Sequence, residues 1–195
     1  MRDRLPTKEN LASHEVLSLE VRSCIDGCEH VEGVNHLFLS CPYFGALWPL
    51  VRAWLGVGVE SQFISDHFLQ FINYAGGLRS RHSFFHLIWL LCVWVLWNER
   101  NDRVFRNKQS SLPHMLDKVK SYSFWWLKAS NAAFSSGTHN WWSNPLLCMS
   151  IHWLFCILTR LCFFPWLLWH ILCCNNYVFG VNIFYFCLLK FFWNV

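Results

Sequence analysis

The sequence predicts a mainly α-helical protein, and three observations carry that prediction. Apolar residues recur at three- and four-residue intervals along residues 44–55 and again along 115–126, the period of one buried helix face. Glycine and proline fall where such segments stop or start, at Gly56, Gly76, Gly77 and Pro113. An uncharged run of 17 residues, His82 to Asn98, leads directly into Glu99-Arg100-Asn101-Asp102-Arg103, as a buried helix with a charged C-terminal extension would.

The elements follow in order. Arg4-Leu5-Pro6-Thr7 leads into a short helical pattern around Leu11 to Leu17, with Pro6 and Thr7 as its start signal. Residues 24–41 hold a group of cysteines, and Gly27 and Gly33 mark turns there. Beyond Pro42, the residues Phe44, Leu47, Trp48, Val51, Trp54 and Leu55 form an amphipathic stripe that Gly56 to Gly58 stop. Pro49 is expected to kink this helix or split it in two. A further helix spans about Asp66 to Tyr74, buries Phe68, Phe71 and Ile72, and ends at Gly76-Gly77. The run at 82–98 lies near the lower limit for crossing a bilayer, but His82 and His86 favour a core helix. Ser111-Leu112-Pro113 opens the last helix, with a stripe of Met115, Val119, Tyr122 and Trp126 and with Lys118, Lys120 and Lys128 facing elsewhere. No internal repeat and no long linker is present in the sequence.

Charge divides the chain in two. Residues 1–149 carry 14 Lys/Arg against all 12 Asp/Glu, whereas residues 150–195 carry only Arg160 and Lys190. The chain therefore reads as a domain over 1–149, with a cysteine cluster at 24–41 and a helical remainder at 42–149, followed by an apolar tail. In that tail, Leu161 to Leu189 contains no charge and is long enough to span a membrane, but Pro165, Asn175, Asn176, Gly180 and Asn182 interrupt it. With apolar side chains on every face and no period, the tail reads first as read-through into sequence never selected for protein. Its rival readings are a membrane anchor through 151–189 and a buried core. A net charge of +4 is too small to argue for nucleic acid by itself.

Of ten cysteines, only Cys24, Cys28 and Cys41 stand in a polar setting. The N-terminus shows no signal-peptide run, so a reducing compartment is expected, where clustered thiols bind metal more often than they pair. The arrangement is Cys24-x3-Cys28-x7-His36-x4-Cys41. Four such ligands satisfy tetrahedral Zn2+ completely, so the site is expected to be structural, with no position open for an activated water. Gly27 lets the first pair grip an ion from one turn. On a regular helix, residues five apart diverge by about 140°, so His36 and Cys41 cannot both face one ion. Pro42 is expected to resolve this by forcing Cys41 out of helical conformation. His30 is a rival ligand, one that would leave a strained Cys-x-His chelate. Glu29 and Glu32 read as solvated groups or as partners of the ligands. The short nucleic-acid knuckle, C-x2-C-x4-H-x4-C, shares only the last interval with this sequence, so its RNA binding does not simply carry over.

Other chemistry has no foothold in the sequence. It contains no GxxxxGK[ST] loop, no GxSxG elbow, no HExxH and no Asp-Asp pair for two polymerase metals. The densest basic cluster is Arg100, Arg103, Arg106 and Lys108, interleaved with Glu99, Asp102, Val104 and Phe105. It reads either as a solvated helix end or as a set of contacts to nucleic-acid phosphate.

A wider set of residues carries a family resemblance. Arg4-Leu5-Pro6-Thr7-Lys8 is followed by Asn10-Leu11-Ala12, then by Cys24, Cys28, Glu32, His36-Leu37-Phe38 and Cys41-Pro42. Leu47-Trp48 and Trp54-Leu55-Gly56 come next, then Trp94-Val95-Leu96-Trp97-Asn98-Glu99-Arg100-Asn101. Phe124-Trp125-Trp126-Leu127-Lys128 and Trp141-Trp142-Ser143-Asn144-Pro145 complete the set. Together, over about residues 4–149, they resemble the zinc-binding region of plant reverse transcriptases, which lies downstream of the polymerase in LINE-type (non-LTR) retrotransposon polyproteins. The resemblance implies Cys24, Cys28, His36 and Cys41 as zinc ligands, an accessory contact with RNA or DNA, and a nuclear or cytoplasmic location. It also implies a fragment with no catalysis of its own. Two other roles are a membrane-anchored protein with a cytosolic zinc domain and a zinc-stabilised protein–protein adaptor.

Overall fold

The computed structural model describes residues 5–58, 61–76, 79–130 and 138–149, and the apolar tail lies outside them. Six α-helices occur among these residues: α1 Lys8–Ser13, α2 Leu47–Leu55, α3 Ile64–Asn73, α4 Arg79–Arg106, α5 Leu112–Ser130 and α6 Thr138–Ser143. No strand forms among the described residues, only an isolated antiparallel bridge between Ser23 and Val31.

The start of α1 matches its sequence signal, because the Thr7 side chain accepts the N–H of Asn10. The helix ends at Ser13 rather than near Leu17. Pro49 neither kinks nor splits α2. The helix begins at Leu47, which puts Pro49 in its first turn, where a missing N–H costs nothing. Gly56 closes α2 at φ 66, a left-handed conformation, and its N–H returns to the Arg52 carbonyl.

The 28-residue α4 is the centre of the molecule. Phe84, Phe85, Ile88, Trp89, Cys92, Val93, Leu96 and Trp97 are all buried along it, because α3 and α5 both pack on α4. The uncharged run at 82–98 thus lies in a core helix. Among the described residues, no helix is long and apolar enough to cross a membrane.

On α5 the buried row is Met115, Val119, Ser123 and Leu127, joined by Phe124, and it differs from the expected stripe. These four sit at i, i+4 spacing and form one ridge. Tyr122 and Trp126 lie on its flank, where Tyr122 meets the edge of Trp94 with ring centroids 5.1 Å apart. Sequence period alone allowed either row, and the packing of α2, α4 and α6 on α5 selected this one. Trp141 of α6 fills the space against Phe84 and Phe124, and its indole N–H donates to the Lys120 carbonyl at 3.0 Å.

Where α2, α3 and α4 meet, His67 lies buried in an aromatic cluster. Its Nδ1 accepts the indole N–H of Trp89 at 3.1 Å, and the Trp48 ring lies 4.4 Å away. Burial, reinforced by the charge of Arg52, pulls the His67 pKa down to about 4. The unfolded chain then binds the extra proton between about pH 6.5 and the folded value, so this contribution is present above that window and fades as pH falls through it. Wild-type stability is expected to drop by up to about 3 kcal/mol across the window from this group. His67→Phe should lose that part of the slope, as read from urea midpoints along a pH series. An identical slope in the variant would count against this account.

Candidate metal centre

The site is assembled on one loop and the π-helical turn that follows it. Residues 22–32 fold back as a hairpin, in which Cys24 N–H donates to the His30 carbonyl at 2.8 Å and Glu32 N–H to the Arg22 carbonyl at 2.9 Å. Gly27 turns the tip at φ 79, as its place between the cysteines predicts. Glu29 also takes positive φ, at 62°, which a residue with a side chain adopts only when its surroundings hold it there.

The second half is wound differently from an α-helix. His36–Ser40 is a π-turn, and Cys41 N–H donates to the His36 carbonyl, five residues back, at 2.7 Å. This wider winding carries position 41 back beneath position 36. Cys41 itself is extended, with φ −63 and ψ 130, as a residue before proline must be. Pro42 has a further effect. It offers no N–H to the Phe38 carbonyl, and the Trp48 indole N–H takes that place at 2.6 Å. Gly45 is needed just beyond, because a Cβ there would collide with the Leu39 and Cys41 carbonyl oxygens.

The result is a compact group. The ligand atoms of Cys24, Cys28, His36 and Cys41 all lie within 4.8 Å of one another. Cys24 and Cys41 Sγ are 3.9 Å apart, and Cys28 Sγ is 3.2 Å from His36 Nε2. A tetrahedron with metal–sulfur bonds of about 2.3 Å places its sulfurs about 3.8 Å apart, so the spacing fits an ion at the centre. His30 stays outside the group. Its Nδ1 donates to the Cys28 carbonyl at 2.7 Å, and its ring stacks on His36 with centroids 5.3 Å apart.

The electrostatics favour thiolate in one of the buried pair. The hydrogen bond between Cys24 and Cys41 raises the pKa of Cys24 and lowers that of Cys41. Backbone N–H groups of Phe44 and Tyr43 hold the Cys41 value down further, and that of Asp26 acts the same way on Cys24. Cys92 lies fully buried in the core, where desolvation pushes its thiol well up. It belongs to the packing and not to the site.

Acidic and basic residues tie the loop to α4. Glu32, expected to be solvated or beside the ligands, is instead completely buried. It accepts Arg100 Nη2 at 2.7 Å, Arg100 Nε at 3.1 Å and the Lys8 N–H at 3.2 Å. Arg103 Nη1 donates to Asp26 Oδ1 at 2.9 Å, and its Nε to Glu99 Oε1 at 3.1 Å. Glu99 Oε1 also accepts the Ser110 N–H at 2.8 Å, which ties down the connection between α4 and α5.

Of the basic cluster read as phosphate contacts, then, the structure turns two members inward. Arg100 is 4% exposed, and Arg103 is engaged with the metal loop. Arg106 is exposed and paired with Asp102 at 2.7 Å, and Lys108 is exposed. Sequence reading missed Asp26, Tyr43 and Phe44 as parts of the centre. The one available signal was the Glu99/Arg103 pair at i, i+4 spacing, with Asp26 between two ligands.

Fold and site define a mainly helical protein with a Cys3His group able to hold a metal ion. Set against protein-family models, curated proteins and solved structures, the chain matches none of them.

Proposed function

We propose that this chain is a zinc-stabilised helical module of the kind found beside reverse transcriptases in non-LTR retrotransposon polyproteins. In this reading it makes an accessory contact with RNA or DNA and carries no catalysis of its own. The observation that carries the reading is the Cys24, Cys28, His36 and Cys41 group, whose separations suit tetrahedral zinc. Three thiolates and one imidazole suit zinc better than the oxygen-seeking Mg2+ or Ca2+. Bound there, zinc would supply structure alone, since the protein fills all four positions.

The nucleic-acid role is supported by α5. Trp125 is 59% exposed and Tyr122 43%, with Lys128 exposed and Lys118 half-buried on the same helix. Exposed aromatic rings among cations suit stacking on unpaired bases with phosphates nearby. Filter binding of the full chain to single-stranded RNA over a salt series tests this. The expected result is an affinity that falls steadily as salt rises, and affinity absent or indifferent to salt would sink it.

A protein-adaptor reading has one observation in its favour. Val16, Leu19 and Val21 are all exposed on the segment between α1 and the hairpin, three apolar side chains that lead into Cys24.

A further inference from the structure

One side chain of α4, Arg103, grips both turns that carry the cysteine ligands. Asp26, to which it donates at 2.9 Å, lies within the turn between Cys24 and Cys28. On the other side, its guanidinium carbon sits 3.7 Å from the Tyr43 ring centroid and 5.1 Å from that of Phe44. Those two residues follow Cys41-Pro42 directly, in the turn that carries the Cys41 ligand. Glu99, almost inaccessible, holds Arg103 Nε and so fixes the guanidinium in place.

We propose that Arg103 is a positioning residue for the metal, holding the Cys24–Cys28 turn and the Cys41 turn at ligand separation before the ion arrives. The proposal rests on the metal-binding reading of the Cys3His group. Two physical effects point the same way. Ligands 17 residues apart in sequence, Cys24 and Cys41, must otherwise be ordered at the expense of binding energy. In addition, Asp26 Oδ2 lies 3.9 Å from Cys41 Sγ, where an unpaired carboxylate would repel a thiolate. Arg103 neutralises that carboxylate while anchoring it.

The test uses the full chain with Co2+ as probe, whose thiolate charge-transfer and ligand-field bands report the coordination sphere. Chelator competition supplies the affinity for Co2+ and for Zn2+. Arg103→Gln should keep the tetrahedral Co2+ spectrum and bind about 10- to 100-fold more weakly, the usual loss when a partner of metal ligands is removed. Arg103→Lys should recover part of the loss, since it keeps the charge beside Asp26 without the planar group that stacks on Tyr43. Asp26→Asn should also weaken binding, and the double variant should be no weaker than Arg103→Gln, because the two side chains share one contact. If Arg103→Gln fails to fold, Asp26→Asn carries the test, as Asp26 is partly exposed and lies outside the core. Affinities of both variants within about twofold of wild type, or single losses that multiply in the double variant, would overturn the proposal alone. A wild-type chain that takes up neither Co2+ nor Zn2+ would overturn the metal reading and this one with it.

Discussion

Cys28→Ser is expected to reduce bound zinc from about one ion per chain to none and to melt the hairpin at residues 22–32. Besides the metal, the hairpin is held at a few points, chiefly Glu32 by Arg100 and Asp26 by Arg103. Its ladder is a single bridge between Ser23 and Val31, and Ser23, Glu29 and His30 are exposed. Structural zinc contributes about 10–16 kcal/mol in isolated finger peptides, where no folded apo state exists. The loss here should be smaller, because Leu37, Phe38 and Phe44 are fully buried in the same core as the helices. Elemental analysis and hydrogen exchange read the two halves of the result. Exchange protection should fall at 22–32 and persist along α4. Zinc retained at wild-type level in Cys28→Ser would remove the central claim.

Arg100→Met should destabilise the metal-loaded chain by about 3–5 kcal/mol, the cost of leaving a buried carboxylate without its partner. Glu32 is inaccessible to water, and its Oε2 has no hydrogen-bond partner among the described residues even with Arg100 in place. Water cannot take over the role that Arg100 gives up. The Glu32→Gln/Arg100→Met double variant should regain much of the loss, since it removes the unpaired charge instead of stranding it. Urea unfolding followed by helix ellipticity measures both, and a cost below about 1 kcal/mol for Arg100→Met would show that the pair carries little. The exposed Arg106–Asp102 pair makes a useful contrast. Although it has the same 2.7 Å separation, solvent screening limits it to a few tenths of a kcal/mol or about 1 at most.

The two predictions bear differently on nucleic acid. A chain that folds with Arg100 removed but keeps its RNA affinity would agree with the buried position of Arg100. The cations that remain accessible, Lys108 and Lys128 among them, are the ones whose loss should flatten the salt dependence.

Much of this protein could be read from its residues in order. Local chemistry determined the start of α1 at Thr7, the left-handed stop at Gly56 and the start of α5 beside Pro113, because each depends on a few neighbours. The members of the Cys3His group stood out for the same reason, as cysteines and a histidine closely spaced in a polar stretch show wherever they fold. Pro42 was read correctly as setting Cys41 apart, but not so the π-turn that brings the residue beneath His36, where the Phe38 carbonyl finds its partner in the Trp48 indole of another helix.

The rest was decided in three dimensions. A period shows that a helix has a buried face, yet only the packing of α2, α4 and α6 around α5 chose Ser123 and Leu127 over Tyr122 and Trp126. The fate of a charge is less local still. Arg100, Arg103 and Arg106 share one helix at three-residue spacing, and in sequence they look alike. The chain folding back 68 residues to Glu32 and 77 to Asp26 turned the first two into struts for the metal loop and left the third in solvent. Sequence lists which groups are charged; whether a charge faces water or a partner depends on which distant backbone comes to lie beside it.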